Sequence, residues 1–154
     1  MLNKEIEDIY DVTSIETVGI PNVVYRGKKE DDEKSYQHLR DVMSIGNIEF
    51  FTMTALIGKY IVGERKSMNN TTSFFRCDDN KNKDEMVILK ALAVDEVDNA
   101  YILKDYMAMR TIWQEYSYAG FEELYKWYSE KTTNFEVRIA EEITNAFENN
   151  KKID

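Results

Sequence analysis

The chain carries one histidine, His38, and one cysteine, Cys77. Hydrolytic triads and most zinc sites need histidine with converging partners. These two residues stand far apart in sequence, so neither chemistry has its parts. Cys77 lies between Arg76 and Asp78. The guanidinium would lower a thiol pKa and the carboxylate would oppose it, which reads as a structural cysteine. His38 sits beside Leu39 in a helical pattern and also reads as structure. Asp78 to Glu85 begins like a calcium loop. An EF-hand needs acids or amides at positions 1, 3 and 5, glycine at 6 and glutamate at 12. Asp78, Asn80 and Asn82 meet the first three, but Lys83 takes the glycine place and Leu89 the glutamate place. Lys81 and Lys83 would also repel a dication. None of the six glycines stands in G-x-x-x-x-G-K or G-x-G-x-x-G, and no G-x-S-x-G elbow occurs. No catalytic residue, metal or cofactor is therefore expected. The enzymatic alternative is a dispersed acidic site, assembled only by folding.

Aromatic side chains supply the other candidate chemistry, which is recognition. Tyr106, Trp113, Tyr116, Tyr118, Phe121, Tyr125, Trp127 and Tyr128 crowd one part of the chain. Tyrosine and tryptophan bury large areas while keeping a polar tip, so they serve both cores and interface hot spots. Tyr118 and Trp127 fall off the main helical stripes and are the first candidates for contact with a partner.

The composition bounds the rest. With 154 residues, 43% hydrophobic and 12% aromatic, the chain is long enough and apolar enough to bury its own core. It has 29 acidic against 20 basic residues, a net charge of −9. That field repels phosphate backbones and disfavours direct nucleic-acid binding. No stretch reaches the roughly 18 apolar residues of a membrane span. The N-terminus MLNKEIEDIYD lacks an apolar signal core, so a reducing cytoplasm and no membrane are expected.

The elements that must position these residues read as mainly α. The expectation is a compact single-domain bundle of five to six helices with one or two short extended segments. Residues 1–34 read as an N-terminal arm and linker, 35–148 as the helical domain and 149–154 as a polar tail. Within the arm, Leu2, Ile6 and Ile9 have helical spacing, the residues around Pro21 read as extended, and Gly27 to Lys34 is a charge run. Ser35 caps a helix with Tyr36, Leu39, Val42 and Met43 on one face. Gly46 and Asn47 break it. Ile48 to Val62 is apolar on almost every side, which predicts a central buried helix. Thr71 to Cys77 has strand composition. Met86, Leu89, Ala93 and Val94 mark the next helix, with Val87 and Ile88 also expected inside. A helix from about Lys104 is expected to break at Gly120, with a second helix through Phe121, Leu124, Tyr125 and Tyr128. A last helix from about Asn134 repeats Phe135, Ile139, Ile143 and Phe147 every four residues. The pair over 35–62 also has the outline of a helix-turn-helix, which makes a DNA-associated regulator the alternative reading. Its second helix offers only Lys59 as a cation.

Four segments resemble a known pattern: Phe75-Arg76-Cys77-Asp78-Asp79, Ile88 to Ala93 (ILKALA), Ile102-Leu103-Lys104, and Glu115 to Leu124 (EYSYAGFEEL). They are similar to a small protein family encoded beside bacterial Dnd systems, the DNA phosphorothioation modification and restriction cassettes of phage defence. The likeness covers about Ser35 to Tyr128 and consists of packing motifs. It implies a defence-island context and no known activity; with the aromatic and acidic surfaces, the expectation is a non-enzymatic accessory or adaptor subunit that contacts larger proteins of a defence complex, or further copies of itself. It carries over no catalytic residue.

Overall fold

The computed structural model describes residues 17–21, 34–77, 81–130 and 134–153. Asp78 to Asn80, the start of the calcium-like stretch, and most of the expected arm fall outside these residues. Along the chain the described elements are strand β1 (Thr17–Pro21), helix α1 (Tyr36–Met43), helix α2 (Asn47–Ile57) with a π-helical turn (Gly58–Val62), and strand β2 (Thr71–Arg76). Helix α3 (Lys83–Val97), a 3-10 turn (Ala100–Lys104), helix α4 (Tyr106–Glu130) and helix α5 (Phe135–Ile153) follow. The fold is mainly α, with a small two-stranded sheet, as its composition predicts.

Local chemistry explains the boundaries. The Ser35 hydroxyl accepts the His38 amide at 3.0 Å and starts α1. Ser44 ends that helix in the left-handed region. Asn99 and Asp105 accept the amides of Tyr101 and Ala108, opening the 3-10 turn and α4. The strand expected at Thr71 to Cys77 forms as β2. It pairs antiparallel with β1, Thr17 facing Arg76 and Pro21 facing Thr71, with a bulge between Val18 and Gly19. Val18 and Ile20 are fully buried, so this short piece of the N-terminal region is part of the core. Two side chains of α4 fix it. Gln114 accepts the Gly19 amide at 2.8 Å, and the Tyr106 hydroxyl donates to the Thr17 carbonyl at 2.8 Å.

The core centres on α2 against α4, the most extensive contact in the molecule. As expected for a helix apolar on every side, α2 buries Ile48, Phe50, Phe51, Ala55 and Ile57. One expectation is overturned: α4 does not break at Gly120 but runs unbroken from Tyr106 to Glu130. The reason lies across the interface. A Cβ at Gly120 would stand 1.7 Å from the Thr54 carbonyl oxygen, and one at Gly58 would stand 1.9 Å from that of Tyr116. The two glycines let the helix backbones touch, so Gly120 serves packing and not a turn.

A buried chain of hydroxyls runs beside this contact. The Thr54 hydroxyl donates to the Phe51 carbonyl at 2.9 Å. Its oxygen lies 2.7 Å from Ser117 Oγ, which lies 2.9 Å from Tyr36 Oη. Each hydroxyl has one proton, so the order is fixed by the terminal carbonyl: Tyr36 donates to Ser117, and Ser117 donates to Thr54. Tyr36 also stacks on Phe121, ring centroids 4.4 Å apart, and meets Phe50 and Phe74 edge-on. The chain thus links α1, α2 and α4 with each proton placed, in a site where a missing partner would be costly.

Candidate partner-binding surface

The aromatic residues singled out in the sequence divide by burial. Trp113, Tyr116, Phe121 and Trp127 are buried; Tyr106, Tyr118, Tyr125 and Tyr128 are half-buried. Several of their polar tips are occupied within the chain. Trp113 Nε1 donates to the Leu89 carbonyl at 2.6 Å, and Trp127 Nε1 to Glu123 at 3.0 Å. Tyr128 meets His38 Nε2 at 3.2 Å. Lys66 lies over the Tyr118 ring at 4.3 Å, and Lys34 over Tyr125 at 5.5 Å. Glu122 bridges both lysines, at 2.9 Å from Lys34 and 3.4 Å from Lys66. The aromatic set is therefore mostly helix-packing core; of its half-buried members, Tyr118 and Tyr125 lie under the chain's own lysines, and Tyr106 and Tyr128 hydrogen-bond to the Thr17 carbonyl and to His38. Cys77 is fully buried, its sulfur 3.9 Å from the Tyr106 hydroxyl.

Three acids converge beside Tyr116, where the π-helical turn meets the end of α3. Lys59 lies 3.7 Å from Asp95 and 3.6 Å from Glu96; Arg65 reaches Glu96 at 3.5 Å and Glu115 at 2.9 Å. The Tyr60 hydroxyl donates to Asp95 at 2.9 Å. Burial, reinforced by the bond to Asp95, pushes the Tyr60 phenol up to about 12. Burial and then Glu96 push Tyr116 up to about 12 as well. Each acid of this cluster faces a cation or a phenol, which makes it a clamp joining α2, α3 and α4. Among the described residues no group of three or more histidine, cysteine or acidic side chains is arranged to hold a metal.

Helix α2 does not present a face suited to a DNA groove. Seven of its residues are buried, and those left toward solvent include Glu49, Met53 and Leu56. These last residues instead form one wall of an open groove of about 740 Å³. The π-helical turn extends that wall with Tyr60 and Ile61. A π turn widens the helix by one residue per hydrogen-bonded ring, and such turns recur at functional sites. Helix α3 contributes Glu85 and Ile88; α5 contributes Ile143, Ala146 and Phe147. Tyr60 and Ile143 are each 47% exposed, and Ile88 is 39% exposed.

The groove corrects two sequence expectations. Val87 and Ile88 are not inside: Val87 is 61% exposed and Ile88 borders the groove. The stripe of α5 also leaves the core progressively, from Ile139 at 9% exposed to Ile143 at 47%. Arg138 holds the start of α5 to the end of α4 through Glu130 at 2.7 Å, while the later turns face the groove. A signal for this was present. The chain has more apolar helix faces than neighbours to cover them: α2 on every side, α3 on two, α5 along its length. A contiguous apolar patch of this kind marks interaction surfaces in small proteins. No helix among the described residues is long and apolar enough to cross a membrane. The chain has no significant match to a protein-family model, a curated protein or a solved structure.

Proposed function

We propose that this protein is a non-enzymatic adaptor that binds a larger protein through the groove between α2, α3 and α5. The observation that carries the reading is the groove itself: about 740 Å³, walled by Met53, Leu56, Ile61, Ile88 and Ile143, and open to solvent. The polar chemistry of the chain supports the same role. The acids that converge are matched to Lys59 and Arg65, and the buried hydroxyls of Tyr36, Ser117 and Thr54 form a closed relay. Neither is arranged as a nucleophile with a base.

The cellular setting we propose is the one implied by the family likeness, an accessory subunit of a cytoplasmic anti-phage complex linked to DNA phosphorothioation. That setting rests on Phe75 to Asp79, Ile88 to Ala93, Ile102 to Lys104 and Glu115 to Leu124. Affinity capture from the native host tests both parts. The wild-type chain should retain one or a few larger proteins, and Ile88→Ser with Ile143→Ser should lose them. Phosphorothioation enzymes among them would support the setting. Equal retention by the double variant would remove the groove from the account.

A further inference from the structure

We propose that the groove takes the apolar face of a basic amphipathic helix, a partner class that rests on the docking role above. Beyond the first turns at Glu49 and Glu85, the walls are side chains of helices whose backbone N–H and C=O groups are already used within those helices. An extended peptide laid in the groove would bury its own amides against Met53, Leu56 and Ile88 with nothing to bond them. A helix arrives with its backbone satisfied and needs from its host only an apolar channel. Met53 gives that channel an adaptable wall, suited to side chains of differing shape.

Charge selects among helices. Among the described residues, the charged side chains lining the groove are Glu49 and Glu85, with no lysine or arginine beside them. Neither glutamate is matched to a cation among the described residues. Lys59, next to the wall residue Tyr60, is turned to Asp95 and Glu96. A helix flanked by lysine or arginine completes this rim, while an acidic one meets like charge on a chain of net charge −9. The same reasoning disfavours a second copy of this protein, which would bring the same acidic rim.

The test uses the full chain and two synthetic helical peptides. Both carry leucine at i, i+3, i+4 and i+7, and they differ only in having lysine or glutamate elsewhere. Isoleucine methyl spectra and calorimetry provide the readouts. The lysine peptide should move the Ile61, Ile88 and Ile143 methyls and bind at least about tenfold tighter than the glutamate peptide. Glu49→Gln with Glu85→Gln should shrink that preference to about threefold or less. Ile88→Ser with Ile143→Ser, checked for an unchanged circular dichroism spectrum, should abolish the methyl response. Equal binding of both peptides in the groove would overturn the basic partner and leave a groove-binding adaptor. Groove methyls unmoved by either peptide would overturn the helix, and the host capture would then decide the adaptor role separately. A concentration-dependent dimer lost in the serine variant would overturn the proposal in favour of self-association.

Discussion

Gly120→Ala tests the central packing contact. Helix propensity alone predicts that alanine stabilises an unbroken helix by about 1 kcal/mol over glycine. The structure predicts the opposite sign. The added methyl would lie 1.7 Å from the Thr54 carbonyl oxygen and 2.7 Å from the Gly58 amide nitrogen, both rigid backbone. Restoring the 3.0 Å that real contacts respect requires α2 and α4 to part by about 1.3 Å. A gap of 0.5–1 Å already forfeits about a quarter to a half of a dispersion contact. The Thr54–Ser117 bond, now 2.7 Å, spans the same interface and would stretch with it. Overpacking of this kind costs about 1–3 kcal/mol, and a weakened buried hydrogen bond about 1 kcal/mol more. After the propensity gain, the net loss is about 1–3 kcal/mol. At about 2–4 °C per kcal/mol for a domain of this size, Tm should fall by about 2–12 °C. Thermal and urea unfolding, followed by the buried Trp113 and Trp127, measure it. Gly58→Ala acts at the same contact, so the double variant should cost less than the two singles together. An unchanged or higher Tm for Gly120→Ala would refute the close approach and return Gly120 to an ordinary helix position.

Other expectations follow from individual side chains. Thr52 is 5% exposed and its hydroxyl has no hydrogen-bond partner among the described residues, so Thr52→Val should raise stability by about 1 kcal/mol in urea unfolding; a loss would show the hydroxyl to be bonded. Ser117→Ala strands the Tyr36 proton in the core and should cost about 1–3 kcal/mol. Adding Tyr36→Phe should then cost less than it does alone, and strict additivity would deny the relay. Tyr60 and Tyr116 titrate near 12 when folded and near 10 when unfolded. A raised folded pKa gives stability that is complete below pH 10 and lost as pH rises through 12. Melting temperature should therefore fall over that interval, and Tyr116→Phe should flatten the fall; an unaltered slope would remove Tyr116 from the cause.

Much of the fold was legible because local chemistry and burial agree. Ser35 reads as a cap and is one; Thr71 to Arg76 reads as a strand and pairs as one. Ile48 to Ile57 is apolar all round because α4 packs across it. The failure at Gly120 is instructive in physical terms. A glycine amid aromatics looks like a helix end until the opposing Thr54 and Gly58 are known, and they lie on another helix. The groove was illegible for a related reason. Periodicity tells which residues share a face, so Ile139 and Ile143 look equivalent, yet only position in the fold separates 9% from 47% exposure. The aromatic cluster drew attention as a binding surface by residue type, while its hydrogen bonds and lysine covers are tertiary facts. What remained readable was the surplus of apolar faces, whose excess lines the groove.

Photo-crosslinking in the native host tests the docking role most directly. A photoreactive phenylalanine analogue replaces Ile143 in the groove or, as a control, the 74% exposed Tyr101. A discrete heterologous adduct is expected from position 143, mapped to a lysine- or arginine-rich helical segment, and none of it from position 101. The same adduct from both positions, or adducts of position 143 to acidic or extended segments alone, would contradict it.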